Sequence, residues 1–381
     1  MRRPNNSPSL FLARVALVAL VAATLGGLAA APSAASGQQQ PAPPAKSPAP
    51  PAQRRSREYT LSTDVNLVVL HATVLDKKNR VVNNLEQRDF RVSENGVPQK
   101  LSVFSHADIP VTMGIVIDDS GSMREKRPAV NAAALTFVKT SNPQDQAFVV
   151  NFNDVYYLDT PGDFAANADD LKSALGKIDS RGGTALYDAI YASLDHLKLG
   201  NRDKKVLLVV TDGDDNASRY SFDELVRRAQ QSDAVIYTIG LIGDEESSPV
   251  TPPPGSQDTG IATGPSGGSG GSSKSLFKFR RKDKHFANIL KEIARATGGQ
   301  AYFPKSLDEV QSTCQQIAHD IRNQYTLAYY PTNKLKDGTF RAVQVEAFVP
   351  GTRKRLVVRT RPGYYAPRAG AGEPSSVASG Q

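Results

Sequence analysis

The sequence is short of the side chains that most often staple exported domains or build soft-metal centres. Cys314 is the one cysteine in 381 residues, so no intramolecular disulfide is available and stability has to come from packing. It falls with Leu307, Val310, Ile317 and Ile321 on one face at helical spacing, which makes it a core residue rather than a reactive thiol. The five histidines, His71, His106, His196, His285 and His319, are scattered and form no H-x-x-x-H pair, so nothing supports zinc. Long apolar runs are also missing after the first thirty or so positions. Gly264-Pro265-Ser266-Gly267-Gly268 has the letters of a nucleophile elbow, and the same glycines brush the dinucleotide fingerprint, but neither pattern has the strand before it and the helix after it that its chemistry needs.

Positive charge is in excess, at a formal +8, and is densest at Lys278-Phe279-Arg280-Arg281-Lys282-Asp283-Lys284-His285. That cluster reads as a solvated linker end, with acidic glycans or an anionic membrane face as the remaining candidates. Nucleic acid is not expected, because the chain starts like an exported one. Arg2, Arg3 and Arg14 precede an apolar stretch from Val15 to Leu28, and small residues follow, so 1–35 reads as a secretory signal peptide, or else as an uncleaved anchor. The mature protein is then periplasmic, at the cell surface or secreted. Residues 36–56 are rich in Pro and Ala and bury too little to fold, which makes them a spacer.

From 57 to 107 the texture is short alternating runs, Val65 to Val74 and Phe90 to Ser93, with turn signals at Asp76 to Asn79 and at Asn95-Gly96. Residues 323–366 have the same character at Gln324 to Tyr330, Ala342 to Val349 and Leu356 to Thr360, so the two ends are expected to pair as one β-rich module. A disordered tail, 367–381, follows. Between them, 108–322 alternates apolar strands (Gly114 to Ile117, Ala147 to Phe152, Val206 to Val210, Val235 to Ile239) with helical patterns near Ala129 to Val138, Leu171 to Ile178, Ala185 to Leu197 and Phe222 to Gln230. This order predicts an α/β fold with a doubly wound, mostly parallel sheet, Rossmann-like in layout. Ser221 with Glu224 and Ser306 with Glu309 have capping-box spacing. Residues 244–284 break the pattern and are expected to form a flexible insertion.

The chemistry gathers where the first central strand ends. Asp118-Asp119-Ser120-Gly121-Ser122 places Asp118, Ser120 and Ser122 at alternate positions of a glycine-containing loop, so all three can point one way. Alone, the stretch reads better as a turn, since these residue types dominate turns for local hydrogen-bonding reasons. Gly182-Gly183-Thr184 and Thr211-Asp212-Gly213 add matching oxygens at a helix start and at a second strand end. Hard cations such as magnesium take one or two carboxylates, neutral oxygens and water.

This set of motifs resembles the metal-ion-dependent adhesion site of von Willebrand factor type A domains, over about half of the chain. The flanks Asp89 to Gly96 and Arg361-Pro362-Gly363-Tyr364-Tyr365 are similar to an acidobacterial family of exported proteins related to that domain. The resemblance implies Asp118, Ser120, Ser122, Thr184 and Asp212 as metal ligands, with Asp119, Gly183, Gly213 and Asp214 at the rim. It further implies Mg2+, with Mn2+ or Ca2+ as alternatives, and a protein partner that offers an Asp or Glu side chain to the ion. The expectation is a binding module and not an enzyme, associated with an envelope or membrane surface. A metal-assisted hydrolase using Asp119, Asp214 or Asp215 as base, and a permanent envelope component, are the competing readings; nothing in the sequence sets the oligomeric state.

Overall fold

The computed structural model describes residues 67–140, 142–242 and 271–368, of which 271–282 are described by their backbone alone. The expected signal peptide, spacer and tail, and most of the expected insertion, lie outside the described residues. Four strands come first: β1 (Val68–Leu75), β2 (Phe90–Glu94), β3 (Val97–Gln99) and β4 (Leu101–Ser105). The central region runs β5 (Val111–Asp118), α1 (Arg127–Lys139), β6 (Gln146–Phe152), β7 (Tyr156–Leu158), α2 (Ala168–Gly176), α3 (Leu186–His196), β8 (Lys204–Thr211), α4 (Phe222–Gln231), β9 (Ala234–Gly240), α5 (Gly271–Thr297), β10 (Ala301–Tyr302) and α6 (Asp308–Arg322). Four more strands close the fold: β11 (Tyr325–Tyr329), β12 (Phe340–Ala347), β13 (Val357–Arg359) and β14 (Gly363–Tyr365).

The central strands form a six-stranded sheet in the order β10-β9-β8-β5-β6-β7. All pairs are parallel except β6 with the edge strand β7. Every residue of β5 is buried, as a strand covered on both faces requires. Met113, Ile115 and Ile117 pack to one side with α1, α2 and α6, and Val116 packs to the other with α3 and α4, so the period-two alternation is split between two apolar layers. The sheet is the doubly wound α/β sheet that the strand and helix alternation predicts. β5 lies beside both β6 and β8, the chain having crossed over β5 between them, so the strand order reverses at the β5/β8 boundary and the loops leaving those two strands open a crevice there.

The two chain ends interleave. β1 and β4 flank β11, β13 joins β1 on its other side, and β2 lies between β12 and β3. Asn95 and Gly96 turn the β2–β3 hairpin with φ of 47° and 80°, the left-handed pair that an Asn-Gly turn favours. Between the sheets the Glu94 carboxylate is buried and accepts the hydroxyls of Tyr329 (2.9 Å) and Tyr364 (2.8 Å), with the Arg341 guanidinium at 3.3 Å. Burial, then the Glu94 contact, pushes both tyrosine hydroxyls well above their ordinary range. Gln324 ties this part to the central sheet, donating to Thr73 Oγ1 at 3.2 Å and to the Tyr237 hydroxyl at 3.1 Å.

Two local expectations change. Ser221 and Glu224 do form a reciprocal capping box at the start of α4. Ser306 does not cap α6: Leu307 precedes the helix, and the Glu309 carboxylate instead accepts the backbone N–H of Lys305 at 2.8 Å. Helix α5 begins at Gly271, so 271–284 is helical although the polar stretch 244–284 reads as loop; the buried Phe286, Leu290 and Ile293 anchor the later turns of the same helix. Cys314 is buried in the core, where burial pushes its thiol up to about 12.

Lys204 generates a pH prediction. It is buried at the start of β8 with its ammonium donating to the Ile321 carbonyl near the end of α6. Burial lowers its pKa from 10.5 to about 7, against the pull of Asp108 and Asp145. The unfolded chain therefore binds more protons between those two values, and stability from this group rises with pH across that window. Denaturant unfolding of wild type and Lys204→Met from pH 7 to 9.5 is expected to show the difference moving in favour of the wild type as pH rises. A pH-independent difference contradicts the buried-amine account.

Candidate metal centre

Asp118 is the last residue of β5 and is fully buried. Its Oδ1 accepts the Ser120 N–H at 2.8 Å and its Oδ2 accepts the Thr211 hydroxyl at 2.6 Å, so the loop after β5 is bonded to the end of β8 at the reversal point of the sheet. Burial pushes the Asp118 carboxyl up to about 6; the bonds from Thr211 and Ser120 act the other way, and the neighbouring Asp212 charge adds to the rise. This carboxylate is one that would be better placed with a cation beside it.

The serines continue the line toward solvent. The Ser122 hydroxyl donates to Asp212 Oδ1 at 2.7 Å, and with that proton committed Ser120 donates to Ser122 at 3.2 Å. Ser122 is exposed while Ser120 is buried, so the oxygens run from the interior to the surface. Asp212 Oδ2 meets the Lys126 ammonium at 2.5 Å, with the Asp212 side chain 1% exposed.

Thr184 comes from the loop before α3. Its N–H donates to Asn216 Oδ1 at 2.8 Å, and its carbonyl accepts the N–H groups of Asn216 and Ala217, which fastens this loop to the one after β8. Its hydroxyl oxygen is 3.8 Å from where a side chain on Gly213 would begin. The preceding glycines are needed: Gly182 has φ +74°, and a Cβ there would sit 2.1 Å from the Asp154 carboxylate that accepts the Gly183 N–H. Asp118, Ser120, Ser122, Thr184 and Asp212 thus come from three loops tied directly to one another. Gly183 and Gly213 are half-buried beside them, and Asp214 follows in the same loop.

Asp119 is not at the rim. It is buried facing inward, where it accepts the Asp179 N–H at 2.6 Å and the Ser180 hydroxyl at 3.0 Å and lies 3.5 Å from Arg127 Nε. Arg127 is itself buried and also donates to Asn151 Oδ1 and the Leu175 carbonyl. Adjacent loop residues point to opposite sides, so Asp119 braces the loop from behind while Asp118 faces the cleft. Sequence reasoning missed three residues here. Thr211 is readable as the polar residue before Asp212, but Lys126 and Arg127 look like ordinary solvated charges at a helix start.

No group of three or more His, Cys, Asp and Glu is placed to hold a metal among the described residues. The donor set is instead two carboxylates and three hydroxyls, all hard oxygens, and an ammonium already sits against one of the carboxylates as a stand-in cation. That chemistry fits a divalent hard ion. A brace role for Asp119 has its own consequence. Asp119→Ala leaves the Arg127 charge buried without its carboxylate and is expected to destabilise the fold by about 3–5 kcal/mol in denaturant unfolding. A change below about 1 kcal/mol would show that the pair braces nothing.

Comparison with known proteins gives a family match over part of the chain and distant structural neighbours. Residues 113–214 match the family model for the von Willebrand factor type A domain. No curated protein matches the sequence. Among solved structures, a von Willebrand factor type A protein from Catenulispora acidiphila is 12% identical, the match covering 81% of this chain and 76% of that one at a TM-score of 0.42. Proximal thread matrix protein 1 from the mussel byssus is 15% identical at a TM-score of 0.39, over 56% of this chain and 49% of its own, so this chain spans about half the length of that protein. The vWF domain of the type V pili tip protein Mfa5 from Porphyromonas gingivalis is 11% identical, with 56% of this chain and 95% of that one covered and a TM-score of 0.39. The family match thus reaches from β5 through β8 to the loop that carries Asp212, so the strands and loops that build this site are the part of the chain that is similar to a von Willebrand factor type A domain.

Proposed function

We propose that the protein is an exported binding module that holds a divalent cation, Mg2+ in the first instance, and captures an acidic side chain of a partner protein on that ion. The observation that carries the reading is the convergence of Asp118, Ser120, Ser122, Thr184 and Asp212 from three cross-bonded loops at the carboxyl edge of the sheet. Two carboxylates and neutral hydroxyls leave room in an octahedral shell for water and for one ligand from outside. An Asp or Glu of the partner supplies that last oxygen with a charge that the ion attracts.

The surroundings support binding over turnover. Asp119, which by sequence is a natural choice for a general base, is committed to Arg127, Asp179 and Ser180. Asp215 accepts the Ser218 hydroxyl and the Tyr187 N–H. Next to the Gly182–Gly183 loop, edge strand β7 and the residue before it present Val155, Tyr156, Tyr157 and Leu158, each between 43 and 48% exposed. A run of four large apolar side chains on an open edge suits protein contact, in which tyrosine is a frequent anchor. Export rests on the signal-peptide pattern of the first 35 residues; no described helix is long and apolar enough to cross a membrane.

Thermal or denaturant unfolding with Mg2+ and with chelator tests the site. At about a hundred times the dissociation constant, the ion is expected to add roughly 2.7 kcal/mol to wild-type stability and nothing to Asp118→Ala. Asp118→Ala should keep the fold in chelator, since the loop is also held through Asp119 and Ser122. An equal Mg2+ shift in both proteins overturns the site, and the binding reading with it.

A further inference from the structure

Resting on the cation site proposed above, we infer that Lys126 is a built-in competitor for that site: its ammonium neutralises Asp212 when no ion is bound, must leave when one arrives, and so sets the ion concentration at which the module fills. Asp212 has both oxygens engaged, Oδ1 by the Ser122 hydroxyl at 2.7 Å and Oδ2 by Lys126 Nζ at 2.5 Å. Its side chain is 1% exposed, so water does little to screen this pair, whereas the lysine side chain keeps 27% exposure and has a path outward. A divalent ion drawing on Asp212 meets a carboxylate whose charge is already matched, and must both outcompete the ammonium and free the serine hydroxyls from their chain of hydrogen bonds. Two cations cannot share the pocket closely, because like charges at short range in a shielded site repel strongly.

The position of Lys126 is fixed by neighbours that do not depend on the ion. Its N–H donates to the Met123 carbonyl at 2.9 Å, and its carbonyl accepts the Val130 N–H at 3.1 Å in the first turn of α1. The next residue, Arg127, is fully buried and bonded to Asn151 and the Leu175 carbonyl. The lysine stem therefore starts from a rigid helix end beside the cleft, and only its flexible side chain has to move. Met123, buried three residues earlier, anchors the other side of the same turn.

The test is the affinity for Mn2+, read by electron paramagnetic resonance of the free ion in titrations of the wild type, Lys126→Met and Lys126→Arg. The expected result is Mn2+ binding at least tenfold tighter for Lys126→Met, with Lys126→Arg close to wild type because it keeps the competing charge. Melting in chelator should fall for Lys126→Met, since Asp212 loses its cation, while the upward shift on adding Mn2+ should exceed that of the wild type. A purely structural lysine would lower both melts alike. Wild type that binds Mn2+ with an affinity matched within twofold by Lys126→Met overturns the competitor role and leaves the cation site standing. Binding seen only in Lys126→Met supports it in its strongest form. If none of the three proteins binds Mn2+, the cation site fails, and the competitor role with it.

Discussion

Two carboxylates held together in a shielded cleft need a positive charge, and the structure around the cleft is arranged by that need. Asp118 is buried at the end of the central strand, and Asp212 is shielded one residue beyond the neighbouring strand. Burial raises the cost of ionising Asp118, and the neighbouring Asp212 charge adds to it. Hydrogen bonds from the Thr211 hydroxyl and the Ser120 N–H lessen it, while Asp212 is held by the Ser122 hydroxyl and the Lys126 ammonium supplies the charge. Such an arrangement contributes little to stability beyond what an apolar filling would give, since desolvation offsets most of the attraction between buried charges. On the function proposed above, its value lies in being exchangeable for a divalent ion.

The scaffold around the cleft is held by contacts that do not involve the proposed exchange. Parallel strands buried on both faces fix the ends of β5 and β8 side by side, and the reversal of strand order keeps helices from covering the crevice. Bracing comes from behind: Asp119 and Arg127 join the first loop to α2 and to the residues before Thr184, and Asn216 joins the Thr184 loop to the third. The β module closed by both chain ends meets the opposite region of the central domain through Gln324 and through ion pairs such as Arg359 with Asp320. Binding chemistry and chain closure therefore use different parts of the molecule.

Much of this was legible in the sequence because it follows from short-range rules. Apolar runs of four to six residues marked the buried strands, the Asn95-Gly96 pair marked its hairpin, and alternate spacing put Asp118, Ser120 and Ser122 on one side of a loop. The same alternation, carried one residue further, turns Asp119 away from the rim, where it had been expected. What sequence could not give depended on distant partners. Lys126 reads as a solvated charge until β8 brings Asp212 against it, and Arg127 reads the same way until Asn151 and Leu175 enclose it. Ser306 has the spacing of a cap, yet the helix starts so that Glu309 reaches Lys305 instead.

The central claim is that the three loops converge on one divalent ion, and anomalous diffraction from crystals grown in Mn2+ tests it most directly. The account predicts a single strong anomalous peak enclosed by Asp118, Ser120, Ser122, Thr184 and Asp212, with the Lys126 side chain moved off Asp212. Crystals of the same protein in saturating Mn2+ with no peak in this cleft, and with the Lys126–Asp212 pair intact, would contradict it.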